Sequence, residues 1–198
     1  KNKIKKFIYA SSMYVYSRQG SFYRCSKQSS ELYIEEYHKL YNLNYTILRY
    51  GSLYGPRSNQ SNSIYRIIKK AILDKKIIYK GYPEAMREYI HVVDAAKTAV
   101  HAISKDFDNQ AFVITGQEAI SVVEMLKTLA EIMNIDDKNI QIIDQPDIGH
   151  YKITPYSYSD KTGQKYIPKV HIDLGYGLLE LVELLNQENI ERKVFNNE

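Results

Sequence analysis

The sequence predicts an α/β protein in which strand ends and a helix face are brought together to form a reaction site. Three observations predict it. A β-prone run, Phe7-Ile8-Tyr9-Ala10, completes a buried strand over residues 3–10 and ends in Ser11 and Ser12. A helix follows over residues 27–43, and the chain that opens it carries Tyr23 and Lys27 four positions apart. A second β-prone run, residues 44–49, comes directly after that helix.

The strand end and the helix opening carry the chemistry. Spacing of i and i+4 puts Tyr23 and Lys27 on one helix face, one turn apart. An ordinary phenol titrates near ~10, so a phenol acting as a base near pH 7 needs about 4 kcal/mol of help. A neighbouring ammonium favours the phenolate and supplies help of that sign. A hydroxyl such as Ser12 could hold the substrate oxygen whose proton is exchanged. With 19 tyrosines in the chain, the pair alone is a weak signal. Tyr65 and Lys69 repeat it, and there it reads as an ordinary amphipathic helix face.

Four motifs then occur in order: Ser11-Ser12-x-x-Val15-Tyr16; Tyr23-x-x-Ser26-Lys27-x-x-x-Glu31; Leu48-Arg49-Tyr50-x-x-x-Tyr54-Gly55-Pro56-Arg57; and Arg87-Glu88-Tyr89-Ile90-His91-Val92-x-Asp94. Together they resemble the extended short-chain dehydrogenase/reductase family, the NAD-dependent nucleotide-sugar epimerases and dehydratases. The resemblance runs from residue 3 to about residue 134, with a weaker echo to residue 185. It implies the late part of a Rossmann-type parallel sheet over residues 1–60 and a small α/β substrate-binding subdomain over residues 61–198, with possible return strands to the sheet. It implies a catalytic triad of Ser12, Tyr23 and Lys27, with Ser11, Tyr23, Lys27 and Tyr50 toward NAD or NADP. Tyr14, Ser52, Arg57 and Arg87 would face a nucleotide-sugar substrate. It also favours a homodimer through the 27–43 helix.

Composition bounds the reading. A chain of 198 residues allows one domain of ordinary size with a real core. Hydrophobic residues at 44% and charged residues at 25% fit a globular chain. A net charge of +4 from scattered lysines argues against nucleic acid or an anionic membrane as partner, and suits an anionic substrate equally well. One cysteine excludes an internal disulfide framework and suits a reducing cytoplasm. No apolar run is long enough to span a bilayer, and no signal peptide is visible. The histidines and the cysteine lack metal-ligand spacing, so no metal site is expected.

No Gly-x-Gly-x-x-Gly or Gly-x-x-Gly-x-x-Gly occurs, and the nine glycines are dispersed. In the family that turn cradles the dinucleotide pyrophosphate at a helix N-terminus. The expectation is therefore the C-terminal part of a longer enzyme. A non-catalytic binding or scaffolding module is the alternative.

Further along, the stripe of Tyr33, Tyr37, Leu40 and Tyr41 on the first helix reads as core or subunit contact. Residues 50–61, rich in Gly, Ser, Asn and Pro, read as a loop leaving the C-terminal end of the second strand, where ligands gather in open α/β sheets. Arg57 there is either a phosphate ligand or a solvated charge. The family usually has Asn where Ser52 stands, which weakens that contact. A helix is expected over 63–75, a short strand over 77–79 and a turn at Gly81-Tyr82-Pro83. A β-run over 88–93 follows, with Asp94 capping a helix over 95–104. Arg87 suits phosphate oxygens because a guanidinium meets them in pairs; His91 reads as a structural strand residue. A strand over 111–115 precedes Ser121 and Glu124, which form a capping box for a helix over 122–133. A strand over 140–143, a loop over 149–169 that touches substrate, a closing helix over 177–187 and a frayed end complete the reading.

Two departures from the family matter for function. Only ten residues separate Ser12 from Tyr23, so Ser17-Arg18-Gln19-Gly20 replaces a longer loop over the sugar, and the pocket is expected to be more open or the substrate larger. Met13 and Tyr14 stand where members that eliminate water carry Asp-Glu. A carbanion step needs that acid and base. The expected chemistry is therefore hydride transfer at a carbinol, as a 4-epimerase or a reductase, and not a 4,6-dehydratase.

Overall fold

The computed structural model describes residues 4–116, 119–145, 151–153 and 155. The first strand, β1, spans Phe7–Ser12. It starts later than expected and runs through both serines, because Phe7 to Ser12 pair in parallel with Tyr45 to Tyr50 of β2 (Tyr45–Tyr50). Its burial rises toward the serines, while Phe7 at the other end is exposed. Parallel neighbours require a crossover, and α1 (Ser21–Tyr41) is that crossover. The helix opens before Lys27, after Gly20 in a left-handed conformation (φ 93°), so Tyr23 and Lys27 both lie within it. It closes at Asn42, also left-handed, whose N–H donates to the His38 carbonyl.

Helix α1 buries only Glu31 and Ile34. Tyr33, Tyr37, Leu40 and Tyr41 are exposed, so the aromatic stripe is not core among the described residues. After β2 the expected loop contains a short strand, β3 (Ser52–Tyr54), which pairs in parallel with β6 (Tyr89–His91). Helix α2 (Ser63–Asp74) is capped by the Asn62 side chain, which accepts the Tyr65 N–H. It leads to β4 (Ile77–Lys80), whose parallel partner is β9 (Ile140–Ile143). Arg87 lies in β5 (Met86–Arg87), antiparallel to β8 (Ile120–Ser121).

The next helix, α3 (Val92–His101), starts as soon as β6 ends. Its cap is therefore His91, whose Nδ1 accepts the Val93 N–H, and not Asp94. Asp94 sits in the first turn, where a carboxylate favours the helix dipole. Strand β7 (Gln110–Ile114) then returns to the large sheet, giving the order β1-β2-β7, all parallel. Helix α4 (Val122–Ile132) has the expected capping box of Ser121 and Glu124. The closing helix and the chain end lie outside the described residues, as does most of the 149–169 loop.

Two hydrophobic clusters result among the described residues. One joins Leu48 of the sheet to Ile90, Ala95, Ala102 and Ile114. The other joins Ala71, Ile77, Val122, Leu126 and Ala130 from α2, β4 and α4. Between the strand ends and α2 the fold leaves an open cavity of about 730 Å³.

Candidate active site

The C-terminal end of β1 delivers Ser11 and Ser12, and a tight 3-10 turn over Met13–Tyr16 follows immediately. The Ser12 hydroxyl oxygen accepts the Tyr14 N–H at 3.3 Å, which caps that turn. Met13 is fully buried, whereas Tyr14 lines the cavity. The turn lies against Gly20: a Cβ at Gly20 would meet the Tyr14 ring at 2.5 Å, and its φ of 93° also disfavours a side chain. Arg24 clamps the short connection by donating to the carbonyls of Ser17 and Arg18.

Tyr23 is 50% exposed, and its ring meets Tyr14 edge-on with centroids 5.8 Å apart. Lys27 Nζ donates to the Ala10 carbonyl at 2.8 Å and lies 5.6 Å from the Tyr23 ring centre. The decoy pair shows why the carbonyl anchor matters. Lys69 lies 5.8 Å from the Tyr65 ring, a similar distance, but the pair sits on α2 near Tyr54 and Gly55, without the carbonyl bond that Lys27 makes among the described residues. The structure thus brings Ser12, Tyr14, Tyr23 and Lys27 to one strand end.

Other expected site residues divide. Ser52, at the start of β3, lines the cavity, as does Arg87, which is almost fully buried. Arg87 Nη1 donates to the carbonyls of Met86 and Lys152. Arg57 is exposed in a left-handed turn (φ 66°) away from the cavity lining. The Tyr50 phenol donates to the Ala95 carbonyl and packs on the sheet cluster, and its burial pushes the phenol pKa up. The buried Ser11 hydroxyl donates to Glu31.

That last contact exposes a network that motif reading quoted without interpreting. Glu31 lies one turn beyond Lys27 on the same face of α1. Its carboxylate accepts Arg49 Nε at 3.1 Å and Nη2 at 2.7 Å, a paired contact. Arg49 also donates from Nη1 to the Tyr16 hydroxyl and lies 4.8 Å from that ring. Arg49 is the β-register partner of Ser11. One carboxylate therefore ties together the strand end before Ser12, the helix of Tyr23 and Lys27, and the strand before Tyr50. Spacing i+4 from Lys27 was the available signal; the partner was not readable without the register.

The cavity lining also includes Arg66, Lys70 and Lys80, and among the described residues no acidic side chain contributes to it. Tyr89 lines it too, its phenol pushed up to about 12 by burial. Among the described residues no group of three or more His, Cys, Asp or Glu side chains is arranged to hold a metal ion. No helix there is long and apolar enough to cross a membrane.

A parallel sheet with crossover helices is a Rossmann-type arrangement, and here it sets a strand-end hydroxyl beside a Tyr–Lys pair. The chain belongs to the NAD dependent epimerase/dehydratase family, whose model matches residues 1–115. A putative UDP-glucose 4-epimerase of Methanocaldococcus jannaschii is 31% identical over 173 residues, 84% of this chain and 54% of that protein. The dTDP-glucose 4,6-dehydratase of Escherichia coli is 26% identical over 163 residues, 79% of this chain and 44% of that protein. The solved UDP-glucuronic acid 4-epimerase of Bacillus cereus, in complex with UDP-glucuronic acid and NAD, superposes with a TM-score of 0.69 at 25% identity, over 80% of this chain and 54% of that one. The chain spans about half the length of the curated relatives it matches.

Proposed function

We propose that this chain carries the proton-transfer and substrate-binding part of an NAD-dependent nucleotide-sugar 4-epimerase or reductase. The observation that supports it best is the placement of Tyr23 beside the Ser12 turn, with the Lys27 ammonium anchored on the Ala10 carbonyl next to it. In this reading the Tyr23 phenol takes the proton of a sugar hydroxyl, and Ser12 holds that oxygen. Lys27 places its ammonium beside that phenol, 5.6 Å from the ring centre.

The described residues fit one end of a nicotinamide dinucleotide. Lys27 uses one N–H on Ala10, which leaves two donors for a ribose diol. When bound, the cofactor supplies the hydride acceptor and donor. The glycine-rich turn that holds a pyrophosphate is not among these 198 residues, so that contact is assigned to no residue here.

Epimerisation or reduction is favoured over dehydration because Met13 is buried and Tyr14 is a phenol, which leaves no carboxylate pair beside Ser12. The cationic lining from Arg66, Lys70, Lys80 and Arg87 suits the diphosphate of a sugar nucleotide. The exposed face of α1 supports a homodimer, and the single cysteine suits a reducing cytoplasm; the role proposed there is polysaccharide synthesis. The proposed division is a catalytic part over 1–60 and a substrate-binding subdomain over 61–198, from which β7 returns to the sheet.

The test is Tyr23→Phe, assayed with the dinucleotide-binding half of the fold present. Turnover should fall by ~10²–10⁴ with sugar-nucleotide affinity nearly unchanged. Tyr65→Phe, the decoy, should cost little. Near wild-type turnover of Tyr23→Phe would assign the pair a structural role.

A further inference from the structure

The stretch 151–153 crosses β5 and is stitched to it. The Met86 N–H donates to the Lys152 carbonyl at 2.8 Å, and Arg87 Nη1 donates to the same oxygen at 3.0 Å. The Lys152 ammonium pairs with Glu84 at 2.9 Å and lies 4.1 Å from the Tyr82 ring. This strap delivers Tyr151 to the cavity, where it is 6% exposed.

Tyr151 meets three groups that line the same cavity. Its ring lies 4.9 Å from the Arg87 guanidinium carbon and 5.1 Å from the Tyr14 ring, and its hydroxyl is hydrogen-bonded to the Ser52 side chain. Arg87 belongs to the cationic lining with Arg66, Lys70 and Lys80, whereas Tyr14 leads to Ser12 and Tyr23. Tyr151 therefore stands between the anion-binding and proton-transfer ends of the cavity.

The consequence for Arg87 is physical. Nη1 is held by two carbonyls, and one face of the guanidinium rests on an aromatic ring. The planar fork is thereby fixed before any ligand arrives, with the Nε–Nη2 edge left for a pair of oxyanion contacts. An arginine held in advance loses less rotamer freedom on binding than a free one.

We propose that Tyr151 is a substrate-positioning residue, whose ring holds the Arg87 guanidinium for the diphosphate of a nucleotide sugar. This inference rests on the nucleotide-sugar reading above, and the ligand class it names is a nucleoside diphosphate bearing a sugar.

Calorimetric titration with UDP and with dTDP, on the chain with the dinucleotide-binding half of the fold present, tests both. Tyr151→Leu, which keeps apolar bulk but lacks a π face, should weaken diphosphate binding about tenfold. Tyr151→Phe, which keeps the face and loses the Ser52 contact, should weaken it less than threefold. In an Arg87→Ala background, Tyr151→Leu should cost no more than twofold further, because the ring acts through that guanidinium. A merely structural strap would make the two losses add. Thermal melting of each variant shows that it is folded under the titration conditions. Wild-type chain that binds UDP or dTDP, with Tyr151→Leu equal to it or with additive losses, overturns this inference alone. Wild-type chain that binds neither nucleotide overturns the functional reading and this inference with it.

Discussion

At Arg87 a proposed binding role and a structural one meet in a single side chain. Neither neighbouring carboxylate is its partner: Glu84 pairs with Lys152, and Arg87 donates to the Met86 and Lys152 carbonyls. Its remaining edge suits a diphosphate. A charge-assisted bond contributes about 1.5–3 kcal/mol, which at ~1.4 kcal/mol per decade is about 10- to 150-fold in affinity. Arg87→Ala should raise KM for the sugar nucleotide by that factor with kcat hardly moved. It should also lower Tm, because two carbonyls lose a donor. Lysine at this position should recover part of the affinity, since a point charge lacks the planar fork. An unchanged KM beside a lowered Tm would leave Arg87 a purely structural role.

At the scale of elements, the Glu31–Arg49 pair is the tie between β1, α1 and β2. Both side chains are largely buried, at 9% and 18% exposed. Removing one partner of such a pair leaves a charge without compensation, at a cost of about 3–5 kcal/mol. Arg49→Met should therefore destabilise the fold by that order in urea unfolding. Adding Glu31→Gln to it should recover part of the loss, since the stranded charge is then gone. A cost below ~1 kcal/mol for Arg49→Met would mean that the pair ties nothing. The α4 capping box is a second, milder tie. Hydrogen bonds from the Ser121 N–H and then its hydroxyl hold the Glu124 carboxyl below the usual carboxylate range. A depressed folded pKa means stability present above the ordinary carboxylate pKa and lost as pH falls through the lower folded value. Glu124→Gln should thus narrow its stability gap to wild type on acidification below about pH 4. Ser121→Ala should cost about 1 kcal/mol at neutral pH. A Glu124→Gln gap that does not change with pH would contradict the charged cap.

At the scale of the molecule, α1 exposes Leu32, Tyr33, Tyr37, Leu40 and Tyr41, an apolar face that solvent does not favour. If the proposed homodimer forms there, Tyr37→Glu with Leu40→Glu should convert it to monomer in sedimentation experiments while leaving thermal unfolding of the monomer near wild type. A wild-type chain that sediments as monomer at all concentrations would remove the dimer. Much of the architecture was readable in the sequence. The longer strands, the α-helices and the order of the four motifs emerge from residue pattern, and so does the Ser121 box, whereas the short strands β3, β5 and β8 do not. Element edges were less so. Strand β1 reaches Ser12 because β2 offers hydrogen-bonding partners up to Tyr50. The α3 cap falls on His91 because β6 ends there.

The sequence by itself determined what depends on neighbours within a helical turn or a strand. It set Tyr23 and Lys27 on one face, Ser121 with Glu124, and the serines at a strand end, since helix, cap and strand periodicities act over a few residues. Tertiary structure alone decided which distant groups meet. Ser11 reaches Glu31, Arg49 reaches Tyr16, and Arg87 reaches the Lys152 carbonyl, across 20, 33 and 65 positions of chain. Those meetings follow from the β1–β2 register and from the path of the chain across β5, and no local periodicity encodes either.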